Sequence, residues 1–362
     1  MIIFLVVLIS FGVILEIMSL KDKFNNIEYH SIPSKLGCEP DEVFQIKTTI
    51  SNYSPRTIPF LKLEEAYPKE INLTNGEKVY VNGSGCYYTS VLYIQGKQKI
   101  TRTIQVSMPS RGLYYLGGAR LHGGDFLGLK ENYREINQQE EIIIFPRALK
   151  EKNVFSALSG FYGDFMVRRF YIEDPLLVSA YNDYSGREPM RSISWMQSAK
   201  KNRLMVKEFD HTMDLSVTIL LDVYLHWSEG THNRELEYCY SLVRTIAEFL
   251  EHKKISYRLL TNTFIRSRNT VYEALEKTGQ GSHHFTMLLY TLGQADSNTF
   301  CDTNELYNMA VAKYNGENTI FYVAPFKNEK RIGLVRNLEN RLGSQIYPMY
   351  ASDLMEVDKN AV

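Results

Sequence analysis

The chain has 362 residues, of which 44% are hydrophobic, and its 41 Lys and Arg balance its 41 Asp and Glu. A formal net charge of zero provides no global field for nucleic acid or for an acidic membrane surface. The length allows roughly two or three domains, each with its own core. The cysteines form no Cys-x-x-Cys pair, which favours reduced thiols in a reducing compartment; they are Cys38, Cys86, Cys239 and Cys301.

Residues 2–20 are an apolar run in which Glu16 is the one charge. A helix of this length extends almost to the roughly 30 Å thickness of the membrane hydrocarbon. The run has neither the basic leader nor the small-residue cleavage site of a signal peptide. Lys21 and Lys23 follow it and no Lys or Arg precedes it. The sequence therefore predicts one transmembrane helix within residues 1–20, in the cell membrane, with the remaining domains in the cytoplasm.

Short strands separated by turn residues are predicted over residues 24–147. Phe44, Ile46 and Ile50 alternate with polar residues, as in a strand with one buried face. Gly96-Lys97 separates two further apolar-alternating runs, as the turn of a hairpin does. This pattern predicts an all-β sandwich of immunoglobulin-like type.

Residues 148–212 are polar, and we interpret Gly160, Gly163 and Gly186 as breakers within a bridge between two domains. Within the bridge, Trp195 lies in the middle of a strongly basic segment. The cations of that segment are Arg187, Arg191, Lys200, Lys201, Arg203 and Lys207.

Residues 213–355 alternate buried strands with amphipathic helices. The apolar run ending at Asp222 and the runs 319–324 and 345–350 predict strands, while Leu236, Tyr240 and further apolar residues mark a helical face. Such alternation predicts an α/β Rossmann-like domain in which helices cover both faces of a parallel sheet.

The segment from Tyr184 to Phe209 resembles the signature of the bacterial domain-of-unknown-function family 58 (DUF 58). That signature has a Tyr, a Gly-acid turn, Arg, Ile, Trp, Ser-Ala-basic and then a Val-basic-acid strand. The matching residues here include Tyr184, Arg187, Arg191, Trp195, Ser198, Ala199 and Lys200, followed by Lys201 and Arg203.

Further landmarks of the family precede the signature in the same order. They are Arg111-Gly112, Leu116-Gly117, the segment 125–129 and the strand that ends at Pro146. With them the resemblance extends from about residue 24 to the C-terminus. It implies that the last domain is the von Willebrand factor A variant of the Rossmann-like fold.

A von Willebrand factor A site holds a divalent ion with an Asp-x-Ser-x-Ser loop, a Thr and an acid. Asp222 keeps the first position, but Tyr224 and His226 replace the two serines. Thr286 matches the second loop, and the third strand ends at Ala324-Pro325 without an acid. Because Mg²⁺ requires small oxygen ligands in a near-octahedral set, we predict a degenerate site with no metal and no cofactor.

Other chemistry is possible for the same residues. Asp222, Tyr224 and His226 could act as an acid-base cluster, although no motif places a nucleophile beside them. His283-His284 invites a zinc site, but no third ligand is near in sequence, so we predict a solvated turn.

The basic segment has three interpretations. In the first, Arg187, Arg191 and Lys200 pair with neighbouring acids while Trp195 is buried between domains, and this is what we expect. In the second, the cations and an exposed aromatic residue form a protein-docking surface. The third is a nucleic-acid patch, which the nearby acids disfavour.

The function that follows is a membrane-anchored, non-enzymatic interaction or assembly protein. The resemblance implies a MoxR-type AAA+ ATPase as partner in envelope-related complex assembly, with a transglutaminase-like membrane protein as a further partner. The alternative is a metal-dependent binding protein or a hydrolase that uses the strand edge around Asp222.

Overall fold

The computed structural model describes Phe4, Ser10 and the ranges 25–73, 79–82, 85–124, 131–171, 178–209, 216–225, 233–265, 275–314 and 319–359. The chain divides into two compact units. One comprises Met1–Arg147 with Leu289–Ala295, and the other comprises Ala148–Leu288 with Asp296–Val362.

The first unit is built from β-strands in two sheets, with strand orders β1-β3-β8-β5 and β2-β10-β9-β4-β7-β6. Paired strands run antiparallel, except for the parallel pair β2 and β10. The strands are β1 (Ile27–Pro33), β2 (Gly37–Cys38), β3 (Phe44–Asn52), β4 (Ile58–Pro68), β5 (Asn72–Leu73), β6 (Val79–Asn82), β7 (Gly85–Ile94), β8 (Lys99–Ser107), β9 (Gly112–Gly124) and β10 (Glu131–Ile144).

Buried and partly exposed residues alternate along the strands, and the buried side chains form the core between these sheets. In β4, Leu61, Leu63 and Tyr67 are buried, whereas the residues between them are partly exposed, apart from the buried Glu65. One apolar cluster contains Ile50 of the first sheet together with Leu61 and Leu63 of the second. The two sheets therefore form a β-sandwich, as predicted.

A buried ion pair lies within this apolar core. The Glu65 carboxylate, 1% exposed, accepts hydrogen bonds from the Tyr29 hydroxyl at 2.9 Å and the Thr48 hydroxyl at 2.8 Å. It also pairs with the guanidinium of Arg102, which lies over the ring of Tyr88. Burial lowers the pKa of Arg102. This network satisfies a carboxylate that would otherwise be costly in an apolar core.

The rest of the chain alternates helices and strands. Its elements are α1 (Lys152–Tyr171), β11 (Val178–Asp183), a 3₁₀ turn (Met190–Ser192), α2 (Trp195–Lys201), β12 (Met205–Phe209), β13 (Ser216–Leu221), α3 (Asn233–His252), β14 (Ser256–Thr261), β15 (Thr263–Ile265), α4 (Ser282–Gln294), β16 (Ala295–Thr299), α5 (Thr303–Ala312), β17 (Thr319–Ala324), α6 (Glu329–Leu342), β18 (Gln345–Tyr350) and α7 (Ala351–Lys359).

The main sheet of the second unit has the order β14-β13-β17-β18, and all of its described pairs are parallel. Five of the six residues of β13 and of β14, and all six of β17, are buried. Burial of consecutive residues means that both faces of the sheet are covered, which explains the continuous apolar runs in the sequence.

The strand order of this sheet contradicts the prediction of a Rossmann-like, von Willebrand factor A-like domain. The classic Rossmann sheet is larger, with six strands in the order 3-2-1-4-5-6. Here the main sheet, within the described residues, has four strands, and β16 pairs with β15 instead of extending it. The observed architecture is a smaller α/β unit on a four-stranded parallel sheet.

The predicted single-pass membrane protein is also corrected. No helix of the described residues is long and apolar enough to cross a membrane. The longest described helices, α1 and α3, have 20 residues each but include Lys152, Asp164, Arg244 and Glu248 along their length. The apolar run 2–20, on which the prediction rested, lies outside the described residues except for Phe4 and Ser10.

The predicted loop-rich bridge contains a long helix, α1, that the sequence interpretation missed. Gly160 and Gly163 lie inside this helix, and an added Cβ at either would meet no atom within 4 Å. The buried side chain of Phe161 lies 4.7 Å from the ring of Phe321 on β17 and 5.3 Å from that of Tyr347 on β18. Helix α1 thus packs on the parallel sheet.

Candidate functional site

Asp222 follows β13 at the carboxyl edge of the parallel sheet, where ligands bind in open α/β folds. Its carboxylate has no solvent exposure. Oδ1 accepts hydrogen bonds from Asn262 Nδ2 at 2.8 Å, from the backbone N–H of Tyr224 at 3.2 Å and from the Thr303 hydroxyl at 3.3 Å. One oxygen of Asp222, the first residue of the predicted degenerate site, is therefore committed to protein donors.

The other oxygen, Oδ2, faces a hydroxyl and a cation of the protein itself. It accepts from the Tyr322 hydroxyl at 2.7 Å and from Arg331 Nε at 3.3 Å. Burial, and then the charge of Asp222, raise the pKa of Tyr322 well above its usual range, so the phenol stays protonated and donates. We call Asp222, Asn262, Thr303, Tyr322 and Arg331 the strand-edge cluster.

Arg331 belongs to the first turn of α6 and is 2% exposed. Asn328 begins this helix, and its side chain accepts the backbone N–H of Arg331 at 2.8 Å. The guanidinium also donates to the carbonyl oxygen of Phe326 at 3.2 Å and to that of Tyr224. The positive charge beside Asp222 is thus a fixed side chain, and sequence reasoning did not identify it.

The remaining predicted residues of this site are placed differently. His226 lies outside the described residues. Thr286 is exposed on α4 and donates to the carbonyl oxygen of Ser282 at 2.7 Å, within its own helix. The hydroxyl that contacts Asp222 comes instead from Thr303, the first residue of α5. The sequence feature that could have placed Thr303 at a helix start is Asp302, the helix-capping residue immediately before it.

Among the described residues, neither an activated thiol nor a group of metal ligands is found at this cluster. Burial raises the pKa of Cys301 to about 11, which keeps that thiol protonated at neutral pH. Within the described ranges, no three His, Cys, Asp or Glu residues are grouped so that they could hold a metal ion.

The prediction that His283 and His284 lie in a solvated turn is wrong, because both residues belong to helix α4. His283 is exposed, whereas His284 is 7% exposed. The Nε2–H of His284 donates to the carbonyl oxygen of Tyr257 at 3.0 Å, since a carbonyl only accepts, and the two rings meet edge to face. His284 therefore fastens α4 to β14.

The signature segment forms a small compact element. Strands β11 and β12 pair antiparallel, and the 3₁₀ turn and α2 connect them. The Ser198 hydroxyl donates to the carbonyl oxygen of Ser194 at 2.8 Å and accepts from the backbone N–H of Met205 at 2.8 Å. Ser198 is buried, so this residue of the signature holds α2 against β12.

Trp195 is 65% exposed, which corrects the expectation that it is buried. Ser198 is the buried residue of α2, whereas Trp195, at the first position of the helix, remains in solvent. Met196 is 69% exposed and Met190 is 70% exposed. Single exposed apolar side chains are ordinary, but these three fall within seven residues of one short element.

Among the described residues, most cations of the signature have no ion-pair partner. Arg203 forms an ion pair with Asp183 at 2.8 Å, and both side chains are exposed. Arg187, Arg191, Lys200 and Lys201 are exposed and have no ion pair with any described residue. Glu173 and Asp174, two of the predicted partners, lie outside the described residues.

We call the exposed side chains of this element the signature surface. Residues 178–209 contain six Lys or Arg and three Asp or Glu, so the element carries an excess of positive charge. Ala199 is exposed, whereas Tyr184 is partly buried and its N–H donates to the carbonyl oxygen of Leu204. The signature surface comprises Arg187, Met190, Arg191, Trp195, Met196, Lys200 and Lys201.

No family model matches the sequence. Over 180 residues the chain is 19% identical to the uncharacterized protein YeaD of Bacillus subtilis (strain 168). This match covers 49% of the chain and 43% of YeaD, so the chain aligns with less than half the length of that relative.

Several solved structures share a limited likeness with about a third of the chain. The CARDB domain of PF1109 from Pyrococcus furiosus, solved with di-metal ions, is 13% identical, with 34% of this chain and 97% of that chain covered and a TM-score of 0.22. A non-cellulosomal cohesin from Archaeoglobus fulgidus is 12% identical, with coverages of 32% and 91% and a TM-score of 0.22. Scores this low support no argument about this chain.

Proposed function

We propose that the chain is a non-enzymatic interaction protein and that its signature surface docks an acidic segment of a partner protein. The observation that carries the proposal is the exposure of Trp195 in an element whose exposed Arg187, Arg191, Lys200 and Lys201 form no ion pair with any described residue. Trp and Arg are enriched at binding hot spots, because they bury a large apolar area and donate several hydrogen bonds at once.

The arrangement on α2 suits a mixed apolar and charged contact. Met196 and Lys200 are four residues apart and so lie on the same side of the helix. Lys200 and Lys201 follow Trp195 within two turns, so the aromatic residue and two positive charges belong to one short helix. An acidic partner segment would gain charge pairing with these lysines while its apolar residues cover Trp195 and Met196.

The same residues disfavour an enzymatic role for this surface. Ser198, the one hydroxyl common to the motif and the helix, is buried and donates and accepts structural hydrogen bonds. The strand-edge cluster offers no free carboxylate oxygen beyond those that protein donors already occupy. Binding, not bond cleavage, is what these groups are suited to do.

The family resemblance makes a MoxR-type AAA+ ATPase the partner to test, within an assembly role. The experiment measures binding of the purified full chain to a purified MoxR-type ATPase by interferometry at two salt concentrations. Lys200→Glu/Lys201→Glu should weaken binding at least tenfold and reduce its salt dependence. The matched control, Lys47→Glu/Lys99→Glu, makes the same charge change at exposed lysines of the first unit and should leave binding unchanged.

Two results would refute parts of the proposal. Equal loss of binding in the control pair would show that net charge, not the signature surface, governs association. Binding of the ATPase that is unaffected by Trp195→Ala and by the lysine reversals would rule out this surface as the docking site.

A further inference from the structure

The oxygen atoms around Arg331 are the kind that hold a hard cation. The guanidinium contacts one carboxylate oxygen, from Asp222, and two backbone carbonyl oxygens, from Tyr224 and Phe326. The hydroxyl of Tyr322 shares the same carboxylate oxygen, and that of Thr303 reaches the other. Carboxylate, carbonyl and hydroxyl oxygens are the ligands that Ca²⁺ and Mg²⁺ bind in proteins.

We propose that Arg331 is a built-in cation that takes the place of a divalent ion at the edge of the parallel sheet. Its charge balances the buried Asp222, which would otherwise be costly to desolvate alone. Its planar fork of donors also joins the segment after β13, through Tyr224, to the segment after β17, through Phe326. A bound ion would supply this same charge and bridging, but only while it stayed bound.

The cation cannot leave the site, because it is covalently part of α6. The helix begins at Asn328, whose side chain accepts the N–H of Arg331, and the Arg331 side chain is 3% exposed. The inference is independent of the docking proposal, since no residue of the signature surface takes part. It predicts that chelators leave the folded chain unchanged, and that removal of the guanidinium creates a vacancy for a small cation.

The test is chemical rescue of the full chain. Arg331→Ala should lower the melting temperature by on the order of 10 °C, because it leaves Asp222 buried without its counter-charge. Low millimolar guanidinium chloride should restore part of that loss, whereas NaCl at equal ionic strength should not. Calorimetric titration of the variant with Mg²⁺ and Ca²⁺ should show a saturable heat that the wild type lacks.

Two controls separate a cation role from packing. Arg336→Ala removes an exposed arginine from the same helix and should change neither the melting temperature nor the response to guanidinium. Asp222→Asn/Arg331→Ala removes both charges and should bind neither guanidinium nor the divalent ions.

Two variants with longer side chains than alanine test the proposal if Arg331→Ala does not fold. Arg331→Met retains most of the length without charge, and Arg331→Lys retains one charge. The proposal requires the lysine variant to be the more stable of the two. A methionine variant as stable as the wild type would overturn it, and so would an alanine variant that neither guanidinium nor a divalent ion stabilises.

Discussion

The hydroxyl of Ser198 accepts the backbone N–H of Met205 at 2.8 Å and so fastens the short helix α2 to β12. Met205 is 1% exposed, so its N–H has no access to solvent. The same hydroxyl donates to the carbonyl oxygen of Ser194, one turn earlier in the chain. A single small side chain thus determines where the exposed residues of α2, including Trp195, are presented.

Replacement of Ser198 by alanine should destabilise the protein by about 1–3 kcal/mol, because the N–H of Met205 would remain buried without an acceptor. Urea denaturation measures the change in the free energy of unfolding. Ser156→Ala, at an exposed position of α1, is the control and should stay within about 0.5 kcal/mol of the wild type. Equal effects of the two substitutions would contradict the structural role of Ser198.

The spacing of apolar residues in the sequence correctly predicted several buried strands. The apolar runs ending at Asp222 and Ala324 are the strands β13 and β17, since a sheet covered on both faces buries consecutive residues. Helix α1 was missed because Gly160 and Gly163 were taken as breakers. The four-residue spacing of Val154 and Leu158, both buried, carried the opposite signal.

Long-range contacts and surface exposure could not be predicted from the sequence. Arg331 lies 109 positions after Asp222, and no local pattern links the two. Likewise, the sequence around Trp195 is compatible with burial or exposure, because a segment of seven helical residues leaves several faces open. The hydrogen bond from Met205 on β12 to Ser198, which joins α2 to that strand, has no counterpart in a local sequence pattern.

The ion pair between Glu65 and Arg102, which joins the two sheets of the sandwich, should contribute far more than an exposed pair within one sheet. Glu65→Ala should cost about 3 kcal/mol, since it removes the counter-charge of the partly buried Arg102 and the acceptor of the buried Tyr29 and Thr48 hydroxyls. The matched control is Glu135→Ala, which breaks the ion pair with Arg120 between side chains about half exposed. That change should cost at most ~1 kcal/mol by urea denaturation, and similar costs for the two variants would refute the buried network.

His284 should make the protein less stable in mild acid. Burial lowers the pKa of its imidazole below the ordinary value of 6.5, so the folded state favours the neutral ring. The stability that neutral His284 contributes is fully present above about pH 6.5 and is lost as the pH falls through the lowered pKa. Melting temperatures measured from pH 8 to pH 5 should therefore fall more steeply for the wild type than for His284→Gln.

The neighbouring histidine provides the control for that measurement. His283 is exposed, so His283→Gln should keep the wild-type slope of melting temperature against pH. If both variants flatten the slope equally, the acid sensitivity cannot be assigned to the buried ring.

Trp195 should contribute to binding and not to stability, because its side chain is mostly in solvent. Trp195→Ala should change the free energy of unfolding by less than about 0.5 kcal/mol, as surface substitutions usually do. Phe161→Ala, which removes a buried ring packed on Phe321 and Tyr347, should cost about 3–5 kcal/mol in the same urea titration. A loss for Trp195→Ala comparable to that for Phe161→Ala would mean that the tryptophan is packed in solution and is not available to a partner.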